Sequence, residues 1–228
     1  MTNDRMAGLA LIAGSAGVIV TLTLHPSGRE LFEPGTFESA ARTLIAVHSL
    51  ALCSLPVWFL GACGLSRRVG SPGNPGDQFG FAGLVLYGFA LTAMMIAVVI
   101  DGLVTPGLAR QIIDTTGTVG QGWRVAFNYN GILNQAFVRV FVVASSAAIL
   151  LWSVSILRSR ALARGLGICG CLLGAATLIA LLSGQLDRQA HLFGIVIVGQ
   201  AVWFIAAGAL LCRTLAPESP RHAVTLEK

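Results

Sequence analysis

Residues 81–100 read FAGLVLYGFALTAMMIAVVI, and Asp101 closes the run. About 20 apolar residues cross the hydrocarbon core of a bilayer as a helix, so this stretch is a complete membrane crossing. It does not alternate polar and apolar side chains as a barrel strand would, and lipid admits only helices or closed barrels. Runs of the same kind occur at about 6–25, 41–65, 127–157, 162–184 and 190–212, with the quoted one extending over 79–104. The expected fold is therefore all-α, a single domain over 1–215 made of six transmembrane helices, followed by a polar tail at 216–228.

Composition agrees with a lipid solvent. Of 228 residues, 55% are hydrophobic and 11% charged, and the mean hydropathy is +0.78. A soluble domain covers its surface with far more polar side chains, and the short loops leave no room for one. The net charge of +5 does not imply nucleic acid, because the basic residues sit at helix ends rather than in one patch with interleaved aromatics. Cys53, Cys63, Cys169, Cys171 and Cys212 contain no C-x-x-C pair and none falls in an expected outer loop, which points to packing rather than to disulfides or thiol redox chemistry. The first run is read as an uncleaved helix, since Thr23-Leu24-His25-Pro26 lacks the small-x-small pattern of a signal-peptide cleavage site.

Orientation follows from Lys and Arg, which favour the cytoplasmic side. Arg5, Arg67, Arg68, Arg158, Arg160, Arg164, Arg213, Arg221 and Lys228 fall at the N-terminus, the 66–78 loop, the 158–164 loop and the C-terminus. These four segments share one side of a six-span chain, so the expected topology is N-in, C-in, in the inner membrane of a bacterium. Gly14, Gly17, Gly61, Gly64, Gly167, Gly170 and Gly174 are expected at helix contacts, where small residues let backbones approach; such faces could also serve an oligomer. Pro56 should kink the second helix. No phosphate-binding glycine motif and no internal repeat is present.

Depth in the membrane identifies the candidate site. Arg5 to His25, Arg67 to His48, Arg158 to Arg139, Arg164 to Gln185 and Arg213 to His191 are all separated by about 20 residues, or roughly 30 Å of helix. Asp101, counted from Gln78, reaches a similar level. Helix ends are where polar residues normally begin, so part of this ring is a boundary effect. The residue types are still costly ones, and ionisable groups at membrane depth usually turn inward and find partners. On the fourth span Asn128, Gln135, Arg139, Ser146 and Ser153 lie within about 40° of one another, with Asn130 and Asn134 nearly opposite. Polar groups on both sides place this helix centrally, its stripe lining an outward-facing pocket; amide glue between helices is the plainer alternative. The pocket-lining set is thus Asn128, Asn134, Gln135, Arg139 and Gln185. The 105–126 loop, with helix-compatible spacing from Gly107 to Asp114, is expected to be a lid.

Three imidazoles (His25, His48 and His191) and a carboxylate can ligate Zn²⁺ or another divalent metal, and two His on facing helices can grip a haem iron. Without metal, Asp101 could act as a general acid or base of a cyclase or isomerase on a lipid-like substrate. Partners are then membrane lipid and a lipophilic small molecule. A transporter or a non-catalytic scaffold are the other readings; the first is disfavoured by the lack of ionisable residues in the inner halves of most spans.

The stretches Leu24-His25-Pro26, Ala46-Val47-His48, Asn134-Gln135-Ala136-Phe137, Val143-Ala144-Ser145-Ser146 and His191-Leu192-Phe193-Gly194 resemble those of a broad group of bacterial six-helix integral membrane proteins. The resemblance covers most of the chain and implies the same fold. It brings no activity, cofactor or catalytic residue.

The topology is testable by labelling. In a cysteine-free background, membrane-impermeant thiol reagents applied outside should react at cysteines introduced in 26–40 and 105–122; reaction at 70–76 would overturn the orientation.

Overall fold

The computed structural model describes residues 3–33, 35–70, 77–185 and 191–213. The helices are α1 (Asn3–Leu24), α2 (Phe37–Val69), α3 (Asp77–Val99), a π-helical turn (Ile100–Val104), α4 (Thr105–Asp114), α5 (Gly117–Ser159), α6 (Arg164–Leu182) and α7 (His191–Arg213). Six stretches are long and apolar enough to cross a membrane. The protein is an all-α bundle of six membrane-spanning helices. Pro56 lies inside an uninterrupted α2.

The helices close into a ring in which each span touches the next: α1 on α2, α2 on α3, α3 on α5, α5 on α6, α6 on α7 and α7 back on α1. Lipid offers no hydrophobic drive for this association, so close backbone approach has to supply it. A β-carbon at Gly14 would sit 2.6 Å from the Trp58 β-carbon, and one at Gly8 would sit 2.5 Å from the Gly208 carbonyl oxygen. Gly174 meets the Ser146 carbonyl in the same way at 2.8 Å. These are contacts only glycine permits, and they explain the glycines in α1 and α6.

Space at the centre of the ring is filled by Trp58, Tyr87, Trp152 and Phe204, one from each of α2, α3, α5 and α7, all fully buried. Their ring centroids lie 5.0–5.8 Å apart, mostly edge to face, the arrangement aromatic quadrupoles favour. The Trp152 indole N–H donates to Ser66 Oγ at 2.8 Å. Gln200 of α7 is likewise buried, accepting from Ser145 Oγ and donating to Ser146 Oγ, both at 2.9 Å. The Trp58 indole N–H and the Tyr87 hydroxyl, by contrast, are buried with no hydrogen-bond partner among the described residues.

Among the described residues, the Arg-bearing helix ends gather at one end of the bundle. There Arg68 pairs with Asp4 at 3.5 Å, and Arg158 lies over the Phe79 ring at 4.6 Å. At the other end the structure corrects the loop reading. Residues 105–126 are not an irregular lid: Thr105–Asp114 is helical, and α5 begins at Gly117 and runs for 43 residues. Hydropathy does not register these turns because they lie beyond the apolar spans. They are held by a small outer core of Leu31, Ala40, Ala41, Leu44 and Ala109, with Phe37 and Phe127 packed on it. Arg110 adds an exposed pair with Glu38 at 3.0 Å.

The central aromatic cluster should dominate stability. Phe204→Ala is expected to cost about 3–5 kcal/mol in reversible unfolding from mixed micelles, whereas Phe81→Ala, at a residue 68% exposed to the lipid side, should change little. Equal costs would show that the rings are not the packed centre.

Candidate metal centre

Three side chains from three elements meet near the end of the ring opposite the Arg-bearing helix ends, the outer end in the expected orientation. His25 follows the last turn of α1, His48 lies in α2, and Asp101 sits in the π-helical turn. His25 Nε2 is 3.0 Å from Asp101 Oδ2, and His48 Nε2 is 3.3 Å from the same oxygen. The imidazole centroids are 5.0 Å apart, edge to face. One ligating atom from each residue can be chosen so that all lie within 4.8 Å of one another. His48 is buried, while His25 and Asp101 are about one-third exposed at the side chain (33% and 29%).

Local structure fixes each of them. Thr21 Oγ donates to the Gly17 carbonyl at 2.9 Å and to the Val47 carbonyl of α2 at 3.1 Å, tying the end of α1 beside His48. Beyond His25 the chain turns sharply, with the Ser27 amide and hydroxyl both donating to Glu30 Oε1 at 3.1 and 2.8 Å. The Ser27 hydroxyl and amide keep the Glu30 carboxyl below its ordinary pKa. In the π-helical turn the Thr105 amide bonds to the Ile100 carbonyl, five residues back, and its hydroxyl donates to the same carbonyl at 3.1 Å. Asn130 of α5 donates to Thr105 Oγ at 2.9 Å. The extra residue in this turn re-aims Asp101, and such single π turns recur at functional sites. Gly102 makes room, since a β-carbon there would fall on the His48 side chain.

The proton inventory is constrained. His25 Nδ1 is 2.8 Å from the Pro26 carbonyl oxygen, and His48 Nδ1 is 2.8 Å from the Leu44 carbonyl oxygen. A carbonyl only accepts, so both Nδ1 atoms carry the proton and a neutral ring has its lone pair on Nε2. Both lone pairs then face an anionic oxygen. The contact is attractive only with positive charge between them, either protons on the Nε2 atoms or a metal cation.

Two chambers adjoin the trio. On the inner side is an apolar one of about 150 Å³, lined by Val18, Thr21, Ala51, Met94, Ala97 and Ile197 among others. The outer one, about 220 Å³, is lined by Ser27, Thr105, Asn130 and Gln135 together with Leu31 and Phe127. His25, Asp101 and Asn134 border both. Asn134 Oδ1 is buried and has no hydrogen-bond partner among the described residues.

The remaining residues of the expected ring are placed as follows. Asn134 and Gln135 reach the outer chamber. Asn128 and Arg139 instead line an exposed groove on another side of α5, shared with Gln135. The polar stripe is real but its two halves differ: Ser146 and Ser153 are buried against α6 and α7, and the stripe then runs past the end of α6 to the surface. The opposite face, with Asn130 and Asn134, turns toward the carboxylate, and Asn128 and Arg139 line the groove rather than either chamber. Gln185 is exposed just after α6. His191 opens α7, and its side chain lies outside the described residues. Thr105 and Gly102 escaped the sequence reading, which noted Asn130 only as part of a helix face; the signal was a Gly directly after an intramembrane Asp, with a hydroxyl four residues beyond that carboxylate.

Fold and spans define the class: a multi-pass helical membrane protein. No family model matches the chain, and neither a curated protein nor a solved structure matches it.

The contact between Gly102 and His48 gives a prediction independent of any ligand. Gly102→Ala should destabilise the protein by about 1–3 kcal/mol through overpacking, while Gly107→Ala, where the added methyl meets open space, should be near neutral. Indistinguishable melting temperatures for the two variants would contradict the close packing of the π-helical turn on α2.

Proposed function

We propose that His25, His48 and Asp101 bind a divalent transition-metal ion at the outer end of the membrane domain, where it acts on a lipophilic small molecule. The observation that supports this most is the convergence of two Nε2 lone pairs and one carboxylate oxygen while each Nδ1 is tied to a carbonyl. That second bond is the usual way a protein orients a metal-binding imidazole. Ligands about 2.0–2.2 Å from one ion are roughly 2.8–3.6 Å from each other at octahedral or tetrahedral angles, a range that includes the two His–Asp separations of 3.0 and 3.3 Å, while the three ligating atoms together lie within 4.8 Å. Two imidazoles and one carboxylate suit Zn²⁺ or Fe²⁺ better than Mg²⁺ or Ca²⁺. Three protein ligands leave open positions, where the ion can polarise a carbonyl or phosphoryl oxygen or activate water.

The rival readings have less support. A haem iron would need its porphyrin between the two imidazoles, where Asp101 Oδ2 stands within 3.3 Å of both rings. Metal-free acid–base chemistry would find both nitrogens of each imidazole already engaged, leaving only Asp101 Oδ1. A transport path would have to pass the buried cluster of Trp58, Tyr87, Trp152 and Phe204. The Arg distribution supports an outward-facing site in a bacterial inner membrane.

Elemental analysis and metal titration of the purified protein test the reading. One equivalent of Zn²⁺ or Fe²⁺ should bind, and His48→Ala or Asp101→Asn should weaken binding by at least tenfold, whereas Cys212→Ser should not. Protons compete with the ion for imidazole nitrogen and carboxylate oxygen, so affinity should fall as pH is lowered. Failure to bind any metal above the level of a variant carrying both His48→Ala and Asp101→Asn would overturn the proposal.

A further inference from the structure

The chamber on the inner side of the three ligands is small and partly open. Its volume of about 150 Å³ is close to that of apolar protein cavities large enough for benzene. Ala51, Leu55, Met94, Ala97, Val138 and Ile197 supply most of its wall. Thr21 is the one hydroxyl there among the described residues, and it is already bonded to the Gly17 and Val47 carbonyls. Water entering the chamber would find few partners, and an apolar group would find many.

On its outer side the chamber is bounded by His25, Asp101 and Asn134, which also border the polar outer chamber. Asn134 Oδ1, buried and unpartnered at this boundary, is an acceptor for an N–H or O–H of a bound molecule. Toward the lipid, Leu55 lines both the chamber and an apolar groove between α2 and α3 that includes Leu52, Pro56, Phe59 and Phe89. One buried side chain thus stands between lipid and chamber.

We infer that the ligand of this site is a small amphiphile: its apolar group, no larger than a benzene ring or a chain of about six carbons, fills the inner chamber, and its polar, hydrogen-bond-donating head meets the metal ligands and Asn134. The inference rests on the metal reading of the same site and adds the substrate class to it. A long acyl chain exceeds the chamber's volume of about 150 Å³. The apolar group enters past Leu55 from the membrane.

Alkyl hydroxamates of increasing length test this, because the head chelates a metal and donates hydrogen bonds while the tail is varied. Affinities are measured in nanodiscs for the metal-loaded wild type and for Ala97→Phe, which fills the chamber; partition into lipid is common to both. The wild-type advantage should be near one for acetohydroxamate, grow by up to about fourfold per methylene and level off at about six carbons. Met94→Ala, which enlarges the chamber, should move that limit to longer tails. Metal content measured on the same samples shows that each variant keeps its site. A bound metal with no dependence of the wild-type advantage on tail length would overturn this inference alone, and an equal preference for dodecanohydroxamate would do the same. Absence of bound metal would overturn the metal reading and this inference together.

Discussion

Two hydrogen bonds from imidazole to backbone organise the outer half of this protein. With Nδ1 of His25 held by the Pro26 carbonyl and Nδ1 of His48 by the Leu44 carbonyl, neither ring can turn its other nitrogen away from Asp101. The carboxylate is presented by a π-helical turn that depends on Thr105 and Asn130, and Gly102 lets that turn lie against His48. Buried or half-buried charges at membrane depth are costly unless paired. The arrangement therefore specifies a cation, proton or metal, at one point.

The rest of the bundle serves that geometry by dividing the membrane into unlike halves. The inner half is closed by aromatic rings and glycine contacts and has no polar path through it among the described residues. In the outer half the helices part around two chambers, one apolar and one polar, with His25, Asp101 and Asn134 at their boundary. α4 and the first turns of α5 extend this half beyond the apolar spans and close it with an outer core around Leu44 and Ala109. Such a division suits chemistry on a molecule with an apolar end, reached from one side of the membrane.

The spans were legible because a bilayer demands about 20 apolar residues, a length signal that needs no knowledge of neighbours. Depth was legible for the same reason: counting from the Arg residues brings His25, His48 and Asp101 to one level, and these three side chains do meet. Which face of α5 turns inward was not legible. Its periodicity offered Asn128 and Arg139 or Asn130 and Asn134, and the choice depends on where α6 ends, a tertiary fact. The helical spacing from Gly107 to Asp114 was legible, whereas the first turns of α5 were missed because they lie beyond the apolar run that hydropathy measures. The π-helical turn hid behind an ordinary helical pattern, since one inserted residue shifts every later face by about 100°.

X-ray absorption at the edge of the bound metal tests the central claim most directly, because it reads the atoms around the ion itself. The account predicts a first shell of nitrogen and oxygen only, at about 2.0–2.2 Å, with the outer scattering of two imidazole rings and the loss of one ring's contribution in His25→Ala. A sulfur scatterer at about 2.3 Å would place the ion on the cysteines instead. That result, or a shell without imidazole, would contradict the site.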